Sequence, residues 1–144
     1  MATVKELLLD RLRTALGPDE QLDLDIARVL APSVIVARQN DDGSQSPFTY
    51  WKYTANLDHA RRLVEATLPG WWWKCGTCGL SDDACIAPDY NSPIHGERLH
   101  REFPLVLREP FDEGFDVDRR PSGNVAIALL ESLFEALVYI EEAN

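Results

Sequence analysis

Three consecutive tryptophans, Trp71-Trp72-Trp73, constrain this chain more than any other feature of its sequence. Successive side chains of a strand point to opposite faces, so no single surface takes all three. In a strand over Trp71 to Gly76, Trp71, Trp73 and Cys75 share one face, and Trp72 and Lys74 share the other. Helices over both faces would make all three indoles core. One open face would instead let Trp72 join Trp51, Tyr53 or Tyr90 in an aromatic platform for a base, a nucleotide or a protein partner. A polar, glycine-containing turn leads into a second strand over Asp83 to Pro88, in which Ala84 and Ile86 oppose Cys85 and Ala87. Antiparallel pairing follows.

Helical signals surround these strands. Thr3 caps a helix over 3–16 with Leu8, Leu12 and Leu16 on one stripe, closed by Gly17-Pro18 and placed as an N-terminal extension. Asp19 starts a second helix carrying Leu22, Ile26, Val29 and Leu30, stopped at Pro32. Asn56 caps a third, with Leu57, Ala60, Val64 and Leu68, ended by Pro69-Gly70. Ser122 caps a long closing helix with Val125, Leu129, Leu133, Ala136, Leu137 and Ile140 on one stripe and Ala126, Leu130 and Phe134 opposite. So wide an apolar arc demands deep burial against a sheet, or a partner subunit on its second side. Ser33 to Ala37, the aromatic run from Phe48 to Tyr53, Leu105 to Leu107 and Phe115 to Asp118 complete the strand candidates. The polar 39–47 segment is expected as a mobile loop, and Asp89 to His100 as irregular chain. These elements predict a single α+β domain over 1–144. Its antiparallel sheet has three to five short strands with helices packed on both faces, an α/β/α sandwich.

The chain has 144 residues, long enough for one core without disulfides or metal. Its 24 Asp and Glu against 14 Lys and Arg give a net charge of -10, which argues against direct nucleic-acid binding, since that affinity comes from cations displacing counterions. A protein partner with a basic surface is the expected one, although acidity also serves solubility alone. Glu131, Glu135 and Glu141 interrupt the longest apolar stretch, and Lys5, Glu6, Asp10, Arg11 and Arg13 interrupt the first leucines. No membrane span and no signal segment are expected, and three cysteines cannot all pair, so the chain reads as cytoplasmic.

Several short motifs together carry a resemblance. Leu22-Asp23 to Ala27-Arg28, Tyr53-Thr54-Ala55-Asn56-Leu57-Asp58, Gly70-Trp71-Trp72-Trp73, Asp82-Asp83-Ala84, Pro88-Asp89 and the closing helix resemble the phage ABA sandwich family of small tailed-phage and prophage proteins. The resemblance covers roughly Leu22 to Leu137 and implies helices on both faces of an antiparallel sheet, in a protein made in a bacterial host. It implies no activity and no catalytic residues. Leu7 to Leu16 and a long Ile94 to Arg108 insertion lie outside the family pattern.

Cys75-Gly76-Thr77-Cys78-Gly79 sets two thiols three residues apart on a glycine-containing knuckle, the spacing with which both reach one tetrahedral zinc. Cys85 would add a third ligand and His95 or His100 the fourth; small half-buried cysteines on adjacent strands are the alternative. A thioredoxin-type dithiol is disfavoured, because a turn with Asp82-Asp83 follows where a helix N-terminus would be needed. Asp112, Glu113, Asp116 and Asp118 are acidic enough for a cation, yet their alternation with Phe115 and Val117 is what a half-buried strand shows. Trp51, Trp72 and Tyr90 with Arg98 and Arg101 form the candidate binding surface. Phosphate loops, His-Glu-x-x-His and serine-nucleophile motifs are absent from the sequence. The sequence therefore predicts a non-enzymatic phage accessory protein that binds another protein. Alternatives are an acidic DNA mimic that inhibits a host defence system, a nucleotide or small-molecule binding protein, or a zinc-stabilised interaction module, and a homodimer is a further possible partner.

Overall fold

Three helix starts are written as short polar side chains. Thr3 accepts from the Glu6 amide, Asp19 from the Leu22 amide and Asn56 from the His59 amide, at 3.2, 3.0 and 3.1 Å. Each bond satisfies a first-turn N–H that has no acceptor within its helix. The computed structural model describes residues 1–78, 80–104, 114–120 and 124–143. Its elements are α1 (Val4–Thr14), α2 (Glu20–Leu30), a 3₁₀ turn (Pro32–Val34), β1 (Ile35–Gln39), β2 (Gln45–Thr49), α3 (Leu57–Thr67), β3 (Trp71–Thr77), β4 (Asp82–Pro88), α4 (Gly96–Glu102), β5 (Phe115–Arg119) and α5 (Val125–Ala143). The fold is α+β, with all strand pairing antiparallel, as expected.

Strands β3, β4 and β5 form one sheet in that order. Register sets Trp73 beside Ile86 beside Phe115, and Cys75 beside Ala84 beside Val117, so one face is a continuous apolar surface. Helix α5 packs on this inner face. Its Ile127, Leu129, Leu130, Leu133 and Phe134 are fully buried, because α1 and α3 cover the arc that the sheet leaves. The wide apolar arc is thus filled within one chain. Truncating any one of these large side chains to Ala costs about 2–5 kcal/mol in a core of this kind. Among the described residues no helix is long and apolar enough to cross a membrane.

Four expectations change. First, α1 is no appendage, since Leu8, Leu9 and Leu12 belong to the same core cluster as α5. Second, Pro32 opens a 3₁₀ turn, which delays the strand expected from Ser33 until Ile35. Third, the 39–47 segment is the tip of a hairpin: Gln39 and residues 45–47 are paired, and the turn closes at Asn40 and Ser44. Gly43, at φ +86°, supplies the left-handed residue that this three-residue turn needs. Fourth, Asp89 to His100 is not wholly irregular, because α4 begins at Gly96 and buries Leu99. The candidates Leu105 to Leu107, Asp112, Glu113 and Ser122 lie outside the described residues.

Asp23 and Thr54, from two separate sequence motifs, meet at one buried node. Asp23 of α2 accepts from the Thr54 amide at 2.7 Å and from its hydroxyl at 2.8 Å. Asn124, just before α5, donates to the Thr54 carbonyl at 2.8 Å. Thr54 is fully buried and Asp23 nearly so. Every polar atom named here therefore has its partner, as burial requires.

Candidate functional site

The residues expected around zinc are not brought together. Cys75 lies on the inner face of the sheet, while Cys85, on the paired strand, lies on the outer face. Cys78 follows the Thr77 end of β3 and is exposed. His95 packs on Gly70 at the other end of the same strand, roughly 25 Å away at 3.3 Å rise per residue. Among the described residues no group of three or more His, Cys, Asp or Glu side chains is placed to hold a metal ion. Alternation along the strand is the physical reason: two paired strands present residues 75 and 85 to opposite sides.

The thiols differ in chemistry as well as place. Burial, then a hydrogen bond to Asp116 and its charge, push the Cys85 thiol up to about 12, so it stays protonated at neutral pH. Burial also raises Cys75, aided by the charge of Asp83. Backbone hydrogen bonds from Leu80 and Ser81 hold Cys78 below the ordinary cysteine value. The Leu80 amide donates to its sulfur at 3.4 Å.

The proposed aromatic and arginine residues also occupy separate environments. Trp51 is half-buried against His59, at 4.7 Å between ring centroids, and stacks on Tyr53 at 6.1 Å. His59 accepts from the Lys52 amide at 2.9 Å and pins the approach to α3. Tyr90 packs on His100 and donates its hydroxyl to the Phe103 carbonyl at 2.6 Å. Arg98 donates to the Pro69 carbonyl at 2.6 Å, to Glu102 at 3.0 Å and to His95 at 3.1 Å. It ties α4 to the end of α3. Arg101 is exposed on α4.

Of the described aromatic candidates Trp72 is the exposed one. The outer face of the sheet carries Trp72 and Lys74 from β3, Asp83, Cys85 and Ala87 from β4, and Asp116 and Asp118 from β5. Trp72 lies beside Ala87, and a Cβ at Gly114 would sit 3.4 Å from its ring, 3.2 Å from the Ile86 carbonyl oxygen and 2.5 Å from the Cys85 sulfur. Gly114, at φ +100°, is thus the residue that lets the chain pass close over the Cys85 sulfur, with the indole in ordinary contact alongside. Cys85 and Ala87 are buried beneath it, yet Trp72 keeps 37% of its own surface. The expectation that all three tryptophans are core holds for Trp71, and partly for Trp73.

Acidic side chains share this face with the indole, toward the other end of the strands. Asp83 pairs directly with Asp118 across the β4–β5 ladder, and Asp116 lies two residues along on the same face. All three are exposed. Like charges directly opposite one another disfavour strand pairing, so folding alone gives no reason for this arrangement. Asp116 and Asp118 were legible as one strand face; Asp83 was not, because only the register brings it there.

The described surface also has a cleft of about 490 Å³ where α1 ends, lined by Arg13, Arg119, Arg120 and Glu131. Arg119 is committed there: it donates to the Leu12 and Ala15 carbonyls and to Glu131, each at 2.6 Å. The lining includes no aromatic side chain on which a base would stack. Comparison of the chain with family models, with curated proteins and with solved structures gives no match.

Proposed function

We propose that this chain is a non-enzymatic accessory protein that binds another protein through the outer face of its three-stranded sheet, Trp72 serving as the anchor and Asp83, Asp116 and Asp118 as the rim. The observation that carries this reading is the exposed Asp83–Asp118 cross-strand pair on the same sheet face as a half-exposed indole, four residues along β4 from it. Tryptophan is enriched among interface hot spots, and three carboxylates further along the same face select a basic contact surface. The phage or prophage origin implied by the resemblance, and the cytoplasm of a bacterial host as the place of action, belong to this proposal.

Mimicry of a nucleic-acid strand would need a longer acidic array. On the helices the carboxylates are instead matched with cations: Asp25 with Arg11 and Arg28, Asp58 with Arg61 and Arg62, Glu141 with Lys5. A local docking patch fits that distribution better. Site-specific photo-crosslinking in the producing cell tests it, with the crosslinker replacing Lys74 on the patch or Arg62 on α3. Lys74 is expected to yield a discrete protein adduct and Arg62 none. Equal labelling from both positions, or no adduct from Lys74, would sink the reading.

A further inference from the structure

The β1–β2 hairpin closes one of its two edges and leaves the other open. The Asn40 amide bonds the Ser44 carbonyl at 2.8 Å, so Asn40–Ser44 is a hydrogen-bonded pair. Antiparallel ladders alternate, which makes Arg38–Ser46 and Val36–Phe48 hydrogen-bonded pairs as well. Ile35, Ala37 and Gln39 therefore turn their N–H and C=O groups toward the outer edge of β1. Gln45, Pro47 and Thr49 do the same along β2. Pro47 has no N–H, so the β2 edge lacks its central donor, a common protection against strand addition. No proline stands in β1, and Val36, Ala37, Arg38 and Gln39 are all exposed. Among the described residues no hydrogen bond reaches the outward groups of Ile35, Ala37 and Gln39.

We propose that a second copy of this chain occupies that edge, β1 pairing antiparallel with its own counterpart about a twofold axis at Ala37. The product is a four-stranded sheet in the order β2–β1–β1–β2. A twofold interface must be self-complementary, and this register is. Ala37 meets Ala37, Ile35 meets Gln39 and Val36 meets Arg38. All outward groups then pair with outward groups, which a shift of one residue would prevent. An axis at Arg38 would set guanidinium against guanidinium, and an axis at Val36 would leave Gln39 without a strand partner. With the axis at Ala37, each Arg38 keeps its position 4.5 Å over the ring of Phe48. Val36, 42% exposed in the single chain, gains cover from the aliphatic stem of the opposing Arg38. On the other face Pro47 and Ala37 continue into their counterparts as one apolar row. An isolated two-stranded hairpin is marginal in water, and four strands relieve that weakness.

Sedimentation equilibrium from low micromolar to millimolar protein tests the proposal, read together with amide exchange at β1. Expected are a dimer at the upper concentrations and concentration-dependent protection of the Ile35, Ala37 and Gln39 amides. Ala37→Pro removes an outward donor without touching the β1–β2 ladder, and should weaken the dimer by at least about tenfold. Circular dichroism of Ala37→Pro confirms that the helices persist, and the exchange pattern of the native chain stands independently of that variant. A monomer throughout overturns the proposal, as does a dimer whose β1 amides stay unprotected, or one that Ala37→Pro leaves intact. Protection of β1 only by a strand of some other protein would overturn it too. The edge lies apart from the outer face of the β3–β5 sheet, so its failure leaves the protein-docking reading standing.

Discussion

Cysteine reactivity is decided residue by residue. Cys78 is exposed and its thiol is eased toward the thiolate by backbone amides, whereas Cys85 is buried and held protonated beside Asp116. A thiol-specific reagent at neutral pH should therefore modify Cys78 first and Cys85 only after unfolding, as peptide mass spectrometry would report. Modification of Cys85 in the folded chain would contradict the outer-face geometry. Asp23 behaves differently again. Burial raises its carboxyl above the ordinary 3.8, although both Thr54 donors pull it down. The folded chain thus holds that proton more tightly than the unfolded one. This contribution to stability is fully present below pH 3.8 and is lost as pH rises through the folded-state value. Asp23→Asn keeps the acceptor oxygen and removes the charge, so its melting temperature should vary less with pH across that window than the native one. Asp23→Ala leaves the Thr54 amide unmet, while the Thr54 hydroxyl keeps the Asp19 carbonyl at 3.3 Å, and should cost about 2 kcal/mol by urea denaturation. Equal losses in the two variants would contradict the node. The sequence shows Asp23 and Thr54 as separate motifs; nothing local announces that they are one.

Elements were legible where periodicity or a cap marks them. Thr3, Asp19 and Asn56 each stand one residue before a helix, and the alternation of β3 and β4 was readable to the register of faces. Of the hairpin only β1 was readable, from its β-branched run; its pairing was not, because the start of β2 lies in the polar segment expected as a loop and both faces of β1 meet solvent. Helix α4 was missed because it is seven residues long, starts at a glycine and buries only one leucine side chain. The same limit hid how α1 is fixed. Arg119 from β5 reaches the last carbonyls of α1 and pairs with Glu131 of α5, with only 14% and 10% of the two side chains exposed. Arg119→Met strands the Glu131 carboxylate in a low-dielectric site and should cost about 3 kcal/mol. Adding Glu131→Leu should recover part of that loss in chemical denaturation. If the double variant is no more stable than Arg119→Met, the two side chains are not coupled.

At the scale of the molecule, the net charge of -10 says little until it is distributed. Several helical carboxylates face arginines, while the outer sheet face that carries Trp72 sets Asp83 against Asp118. The α+β class and the inner face of the tryptophan strand follow from alternation and apolar content. The zinc constellation failed because spacing along a chain carries no information about which face of a sheet each thiol meets. The proposed docking patch was only half visible, since its third carboxylate depends on strand register. If these carboxylates are kept for binding and not for folding, replacing them should weaken association while sparing the fold. The decisive measurement is the calorimetric affinity of Asp83→Asn/Asp118→Asn for the protein crosslinked through position 74, with its melting temperature taken alongside. Affinity should fall by at least about tenfold while the melting temperature holds or rises, because a like-charge cross-strand pair has been removed. Unchanged affinity, or a loss of affinity accompanied by a lower melting temperature, would contradict the account.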